Sequence, residues 1–168
     1  MSDLDVLIEQ QIPRLRRYAR ALTGERAAAD DLVQDTLERA LSRFHLWRRG
    51  SDLRAWLFTI MHNVFVNQIR SRMRYPHEPL DELAAAGAQY REPDWSELRD
   101  IGAALARLPV EQRTVVLLVG LEQLTYEEAA RVLDVPIGTV MSRLSRARER
   151  LRALLGREFR APALKVVK

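Results

Sequence analysis

The stretch 124–155, LTYEEAARVLDVPIGTVMSRLSRARERLRALL, decides the fold of this chain. It predicts two helices joined by a tight turn, the second dense in arginine. Thr125 is a good N-cap, and Glu128 three residues on completes a capping box, each side chain satisfying an amide of the other. The first helix, Tyr126 to about Leu133, is short and offers Ala129, Ala130, Val132 and Leu133 for packing. Asp134 and Val135 make the turn. Pro136 then stands at the first-turn position of the second helix, where a missing N–H and a fixed φ are tolerated. A short helix, a brief turn and a longer helix constitute a helix-turn-helix pattern.

The second helix carries the functional signal. At about 100° per residue, Val140, Leu144, Ala147, Leu151 and Leu154 line one side and must pack on the rest of the domain. Gly138, Ser142, Ser145 and Glu149 fall on the opposite side, with Thr139, Arg146 and Arg152 at its edges. Arg143 and Arg150 lie on one flank and Arg148 on the other. Small residues along the centre let a helix sink into a DNA groove, and flanking guanidinium groups reach phosphates. A merely solvated basic helix would not need glycine and serine between its basic flanks.

The totals are consistent with this. A chain of 168 residues, 47% hydrophobic and 30% charged, is long enough for one ordinary domain or two small ones with packed cores. The net charge of +4 and pI near 9.9 favour a polyanionic partner. With no cysteine, a disulfide frame, a thiolate zinc site and a cysteine nucleophile are all excluded. The longest apolar run, 115–121, is too short to cross a bilayer, and the acidic N-terminus does not resemble a signal peptide. A soluble cytoplasmic protein without membrane insertion is expected.

Upstream, residues 3–22 show helical spacing in Leu4, Leu7, Ile8, Leu15, Tyr18, Ala19 and Leu22. Pro13 predicts a kink or a second helix start, and Gly24 a stop. The next helix, about Arg26 to Phe44, buries Leu32, Val33, Thr36, Leu37, Ala40, Leu41 and Phe44. Its other face carries Asp31, Gln34, Asp35 and Glu38 at i, i+3, i+4 and i+7. Periodicity alone leaves two readings open: a solvated face near a helix N-terminus, or a docking site for a basic partner.

A loop follows, His45-Leu46-Trp47-Arg48-Arg49-Gly50-Ser51-Asp52, in which Ser51 or Asp52 should cap a helix from Leu53 to about Arg74. Leu57, Phe58, Met61, Val64, Phe65 and Ile69 form that helix's buried side. Opposite them run Trp56, Thr59, Asn63, Asn67, Arg70 and Arg74, a set that suits nucleic acid, where rings stack on bases and amides bond their edges. Trp56 fits a core position equally well. His45, His62 and His77 have no acidic or histidine partner at ligand spacing, so no metal and no cofactor are expected. Pro76, Pro79, Gly87 and Pro93 then mark a linker. Beyond it, Ser96 caps a helix to about Leu108, and Pro109 opens another that closes near Gly120.

These stretches together resemble the extracytoplasmic-function group of the sigma-70 family of bacterial transcription initiation factors. The resemblance rests on YARALTGERAAADDLVQDTLERAL (18–41), LRAWLFTIMHNVFVNQIRSR (53–72), ARLPVEQRTVVLLVGLEQLTYEEAARVLDVPIGTVMSRLSRARERLR (106–152) and the proline-broken linker, in the family's order. It implies an all-α fold of two small helical domains joined by a flexible linker: region 2 at 1–74, a linker at 75–94, a helix-turn-helix region 4 at 95–158, and a frayed basic tail at 159–168. It further implies that Asp30, Asp31, Gln34, Asp35 and Glu38 grip the β′ coiled coil of core RNA polymerase. Trp47, Arg48, Arg49, Trp56, Asn63, Asn67, Arg70 and Arg74 would engage the −10 promoter element, the loop capturing a flipped base. Gly138, Thr139, Ser142, Arg143, Ser145, Arg146, Arg148 and Arg150 would read the −35 element, while the preceding helices meet the β flap. An anti-sigma factor is the expected regulator. Met141 departs from the family's polar or basic preference and offers a base edge only apolar contact, for example with a thymine methyl.

Three rivals follow from the same residues. A sigma mimic would bind an anti-sigma factor without touching DNA, but both DNA-facing helices here keep their asparagines and arginines. A dimeric repressor would need a dimerisation helix and leaves the acidic face unexplained. An enzyme would need chemistry the residues do not supply: there is no Ser/His/Asp set, no phosphate loop, no metal spacing and no pair of carboxylates in a plausible cleft.

Overall fold

The computed structural model describes residues 2–74 and 96–156. The linker at 75–94 and the tail at 159–168 lie outside the described residues, and Ser96, expected as a cap, is already a helical residue of α4. Among those described, every regular element is helical: α1 (Asp3–Thr23), α2 (Arg26–Ser42), a 3-10 turn (Phe44–Leu46), α3 (Leu53–Arg74), α4 (Ser96–Ala106), α5 (Val110–Val116), a π-helical turn (Leu117–Leu121), α6 (Tyr126–Leu133) and α7 (Ile137–Leu155).

Helix α1 starts at a capping box, the Ser2 amide donating to Asp5 at 2.9 Å while the Ser2 hydroxyl accepts from the Asp5 amide. It ends on Gly24 at φ 72, the left-handed geometry that favours glycine. The kink or restart expected at Pro13 does not occur, and one helix runs through it. Pro13 lies on the exposed side of the helix, so its ring displaces nothing in the core. Ile8 before it is buried, and Leu15, Tyr18, Ala19 and Leu22 after it join the main core. Helix α2 stops two residues earlier than the periodicity suggests, at Ser42, because Arg43 leaves helical geometry (φ −108) and Phe44–Leu46 tightens into the 3-10 turn. Leu41, expected inside, is 55% exposed as a result. Thr36, the polar member of the buried stripe, donates its hydroxyl to the Leu32 carbonyl at 2.7 Å. Helix α3 has its expected bounds, with Asp52 Oδ1 accepting from the Ala55 amide at 3.3 Å as its cap. Tyr18 and Phe58 meet edge to face, 5.1 Å between centroids, and lock α1 to α3.

In the second half, Arg113 is the organising side chain. Its guanidinium donates to the carbonyls of Leu105 at 2.8 Å and of Ala106 and Leu108 at 3.0 Å, satisfying the C-terminus of α4. The helical stretch opened by α5 ends at Leu121, beside Gly120 as expected, but its last turn is wider than an α-helix. The chain widens into the π turn, which ends with Glu122 N donating to Leu117 O at 3.0 Å, and Gln123 then adopts φ 57. A left-handed non-glycine costs about 1 kcal/mol or more, and both devices serve to place Glu122. Thr125 and Glu128 form the expected capping box of α6, at 3.1 Å in each direction. Asp134 makes the turn at φ 54. Pro136 is the cap of α7 rather than its first residue, one position from the expected place. Val140, Leu144, Ala147 and Leu151 are buried as the spacing predicted.

The two halves are not separate beads. Their buried side chains form one connected core, and polar ties cross the seam. Arg113 Nη1 donates to Leu22 O at 2.9 Å. Arg17 reaches Glu122, and Arg54 reaches the Glu122 carbonyl at 3.2 Å and the Glu128 carboxylate at 3.7 Å.

Candidate functional site

Three surfaces carry the side chains that the sequence singles out. On α2, Asp30, Asp31, Gln34, Asp35 and Glu38 are all exposed and share one face. Gln34 Nε2 donates to Glu38 Oε1 at 3.4 Å and Gln68 Nε2 of α3 donates to Asp35 Oδ2 at 3.0 Å. Between α2 and α3 lies an open groove of about 550 Å³ whose lining includes Asp35, Glu38, Arg39, Asn67 and Gln68. The groove therefore joins the acidic face to the polar side of α3.

Along that polar side, Asn63, Asn67, Arg70 and Arg74 are exposed, and Met73 beside them is 78% exposed. The aromatic residues differ from expectation. Trp47 is half-buried rather than presented freely, its ring 5.4 Å from Phe44, which in turn meets Trp56 at 6.0 Å. Trp56 is half-buried against the core and thus sits between the two readings left open for it. The 3-10 turn draws these rings together. Even so, the indole Nε1 of Trp47 is buried with no hydrogen-bond partner, an unusual condition for a donor. Arg48, Arg49 and Gly50 project from the same loop, where Gly50 has φ 89.

On α7, Gly138, Ser142, Ser145, Arg146 and Arg150 are exposed, whereas Thr139, Arg143 and Arg148 are half-buried. A shallow cleft of about 220 Å³ lies on the flank facing α6, lined by Tyr126, Met141, Leu144, Ser145, Arg148 and Arg152. Met141 at 52% and Ile137 at 44% exposure put large apolar groups on the outside of the helix. No steric demand within the protein explains Gly138, since a Cβ there would meet nothing within 4 Å. Across the seam from Arg143, His62 of α3 has its pKa lowered, first by burial and then by that positive charge, and its Nδ1 lacks a partner.

Sequence reasoning missed the seam itself. Glu122 has a side chain with 0% exposure, yet it gives one oxygen to Arg17 at 3.1 Å, and its Oε2 has no hydrogen-bond partner. Burial, and secondarily the Glu122 charge, raise the Tyr18 pKa and keep its hydroxyl neutral. A lone glutamate at the end of an apolar run was the available signal; nothing local says that arginines 105 and 68 residues away in the chain come to it. No helix among the described residues is long and apolar enough to cross a membrane, and no cluster of potential metal ligands occurs among them.

Among the described residues every element is helical, and the C-terminal pair with its arginine-flanked second helix defines a helix-turn-helix protein. Comparison with known proteins narrows that class. The family model described as the Sigma2 domain of PhyR matches residues 8–62, and that described as Sigma-70, region 4 matches residues 98–151. The ECF RNA polymerase sigma factor EcfG of Rhodopseudomonas palustris is 41% identical over 145 residues, covering 86% of this chain and 80% of that one. The chain belongs to the ECF RNA polymerase sigma factors. Among solved structures, the sigma factor RpoE of Bartonella quintana, crystallised with the anti-sigma factor NepR, is 36% identical, with a TM-score of 0.77 over 95% of this chain and all of that one. The anti-anti-sigma factor PhyR of the same organism shares the fold (TM-score 0.64, 92% of this chain and 51% of that one) at 19% identity.

Proposed function

We propose that this chain is a promoter-specificity subunit of bacterial RNA polymerase, which recognises −35 and −10 elements, assists melting and performs no covalent chemistry itself. The α2 face, Asp30, Asp31, Gln34, Asp35 and Glu38, docks on the β′ coiled coil, and the second half meets the β flap. Helix α7 enters the major groove at −35 with Gly138, Thr139, Ser142, Ser145 and Arg146, while Arg143, Arg148 and Arg150 hold phosphates. Asn63, Asn67, Arg70 and Arg74 with the Trp47–Gly50 loop engage the −10 element. The unpartnered Trp47 indole N–H supports capture of an extruded base, whose edge would supply the missing acceptor. Polymerase joins the two modules, so each raises the effective concentration of the other.

One observation carries this reading: in a chain of the ECF family, an exposed acidic helix face and an arginine-flanked recognition helix occur together. Run-off transcription with core polymerase on a promoter library tests it. Discrete transcripts that depend on both elements support it; no transcript from any member rejects it.

The likeness to the PhyR Sigma2 model keeps a second reading in view, a mimic that occupies an anti-sigma factor without binding DNA. The two readings part on DNA. A mimic would bind a NepR-type anti-sigma factor and leave promoter fragments untouched even with core polymerase present. The fourfold intact set of exposed asparagines and arginines on α3 favours the sigma factor. Control by an anti-sigma factor fits either reading.

A further inference from the structure

We infer that Ile137 and Met141 read duplex sequence through the C5-methyl groups of thymines, one side chain to each of two base pairs in the −35 element. This deepens the promoter reading above and rests on it. Among the described residues of the second half, these are the large apolar side chains left exposed, at 44% and 52%. A single exposed apolar residue is ordinary on any protein surface. Here both stand about one turn apart on the same side of α7, within its first five residues.

Their neighbours leave this end of the helix little else to read with. Over 137–142 the other exposed residues are Gly138 and Ser142. Gly138 has no side chain, and the Ser142 hydroxyl donates to the Thr139 carbonyl at 3.1 Å, so its proton is held within the helix. The N-terminal end of a recognition helix is the part that meets base edges. What it presents here is two apolar side chains raised above small ones. The thymine methyl is the group that matches them in the major groove. Every other base-edge group there donates or accepts a hydrogen bond, and would lose water to an isoleucine or methionine without a replacement. Four residues of helix advance about 6 Å, against about 3.4 Å per base pair, so the two side chains reach base pairs one or two steps apart. The surroundings suit a polyanion and not an apolar protein surface. Arg146 and Arg150 are exposed on the same helix, and the cleft that Met141 lines also carries Arg148 and Arg152. Ser145 and Arg146, farther along, supply the polar contacts that the entering end lacks.

The probe is a duplex carrying both elements of a promoter that the chain transcribes with core polymerase. Each thymine of its −35 element, on either strand, is replaced in turn by deoxyuridine, which lacks only the methyl group. Binding is measured by competition with core polymerase present. Replacement at two positions, one or two steps apart, should each weaken binding about three- to fivefold, the share of one buried methyl. Met141→Ala should bind thymine and deoxyuridine alike at one of these positions, and Ile137→Ala at the other, each keeping the natural response elsewhere. Both residues are exposed, and far-UV circular dichroism checks that each variant folds. Deoxyuridine tolerated at every position, or discrimination that survives in both variants, would overturn the inference and leave the promoter reading standing. So would variants that lose co-purification with core polymerase yet still discriminate, since the pair would then serve a protein contact. No transcript from any promoter would remove both readings together.

Discussion

Gln68 Nε2 of α3 donates to Asp35 Oδ2 of α2 at 3.0 Å, so the acidic face is bonded to the helix whose outer side carries Asn63, Asn67, Arg70 and Arg74. Helices α2 and α3 also share a buried core through Leu32, Val33, Leu57 and Val64. A partner gripping the α2 face would therefore hold α3 in one orientation.

Reversing Asp31 and Asp35 to lysine should abolish co-purification with core polymerase. Both residues are exposed, so the cost to stability is confined to the Gln68 hydrogen bond that Asp35 gives up, about 0.5–1.5 kcal/mol. The melting temperature should therefore shift by no more than a few degrees. Undiminished assembly would remove the docking role from this face.

Arg146→Ala should weaken binding to a −35 fragment by about 1–3 kcal/mol, or roughly ten- to a hundredfold, in competition assays with polymerase present. Equal loss on scrambled −35 sequence, with a salt dependence shallower by about one phosphate, would assign Arg146 to the backbone only.

Gly138 separates stability from recognition. Because an added Cβ meets nothing within 4 Å, Gly138→Ala should fold as well or better, by up to about 1 kcal/mol of helix propensity. In the proposed complex the same methyl would stand between α7 and the groove floor, so −35 affinity should fall about tenfold. Unchanged affinity would mean that no base edge approaches this position.

His62 makes stability depend on pH. Its pKa is lowered below the ordinary 6.5 by burial and by Arg143, so the folded state binds fewer protons than the unfolded one. The sign follows: its contribution is complete above about pH 6.5 and is lost as pH falls through the unfolded value towards the folded one. Urea unfolding of the natural chain should show stability dropping from about pH 7 to pH 5, and His62→Gln should flatten part of that slope. A slope unaltered by the substitution would exclude His62 as its source.

Local signals made much of this protein legible in its residues alone. The capping pair Thr125 and Glu128, the turn at Asp134 and the stripe Val140–Leu144–Ala147–Leu151 are contacts between residues no more than a few helical turns apart, so spacing determines them. For the same reason the exposed faces of α2, α3 and α7 follow from periodicity: whatever does not face the core faces water. The failures are equally physical. Pro13 lies within a continuous helix because tertiary burial on both sides outweighs one lost hydrogen bond, and the widened last turn at Leu117–Leu121 has no signature in the spacing. The spacing puts Trp47 in a loop, but Phe44 meets both its ring and that of Trp56 and gathers the three into a cluster.

From the residues alone come the all-helical class, the helix-turn-helix and the three exposed polar faces, since each depends on neighbours along one helix. Only the tertiary structure decided that the halves share a core, that Arg17 and Arg54 converge on Glu122, and that His62 lies near Arg143. Those relations join residues far apart in the chain, and helical periodicity carries no information about which helix another will pack against.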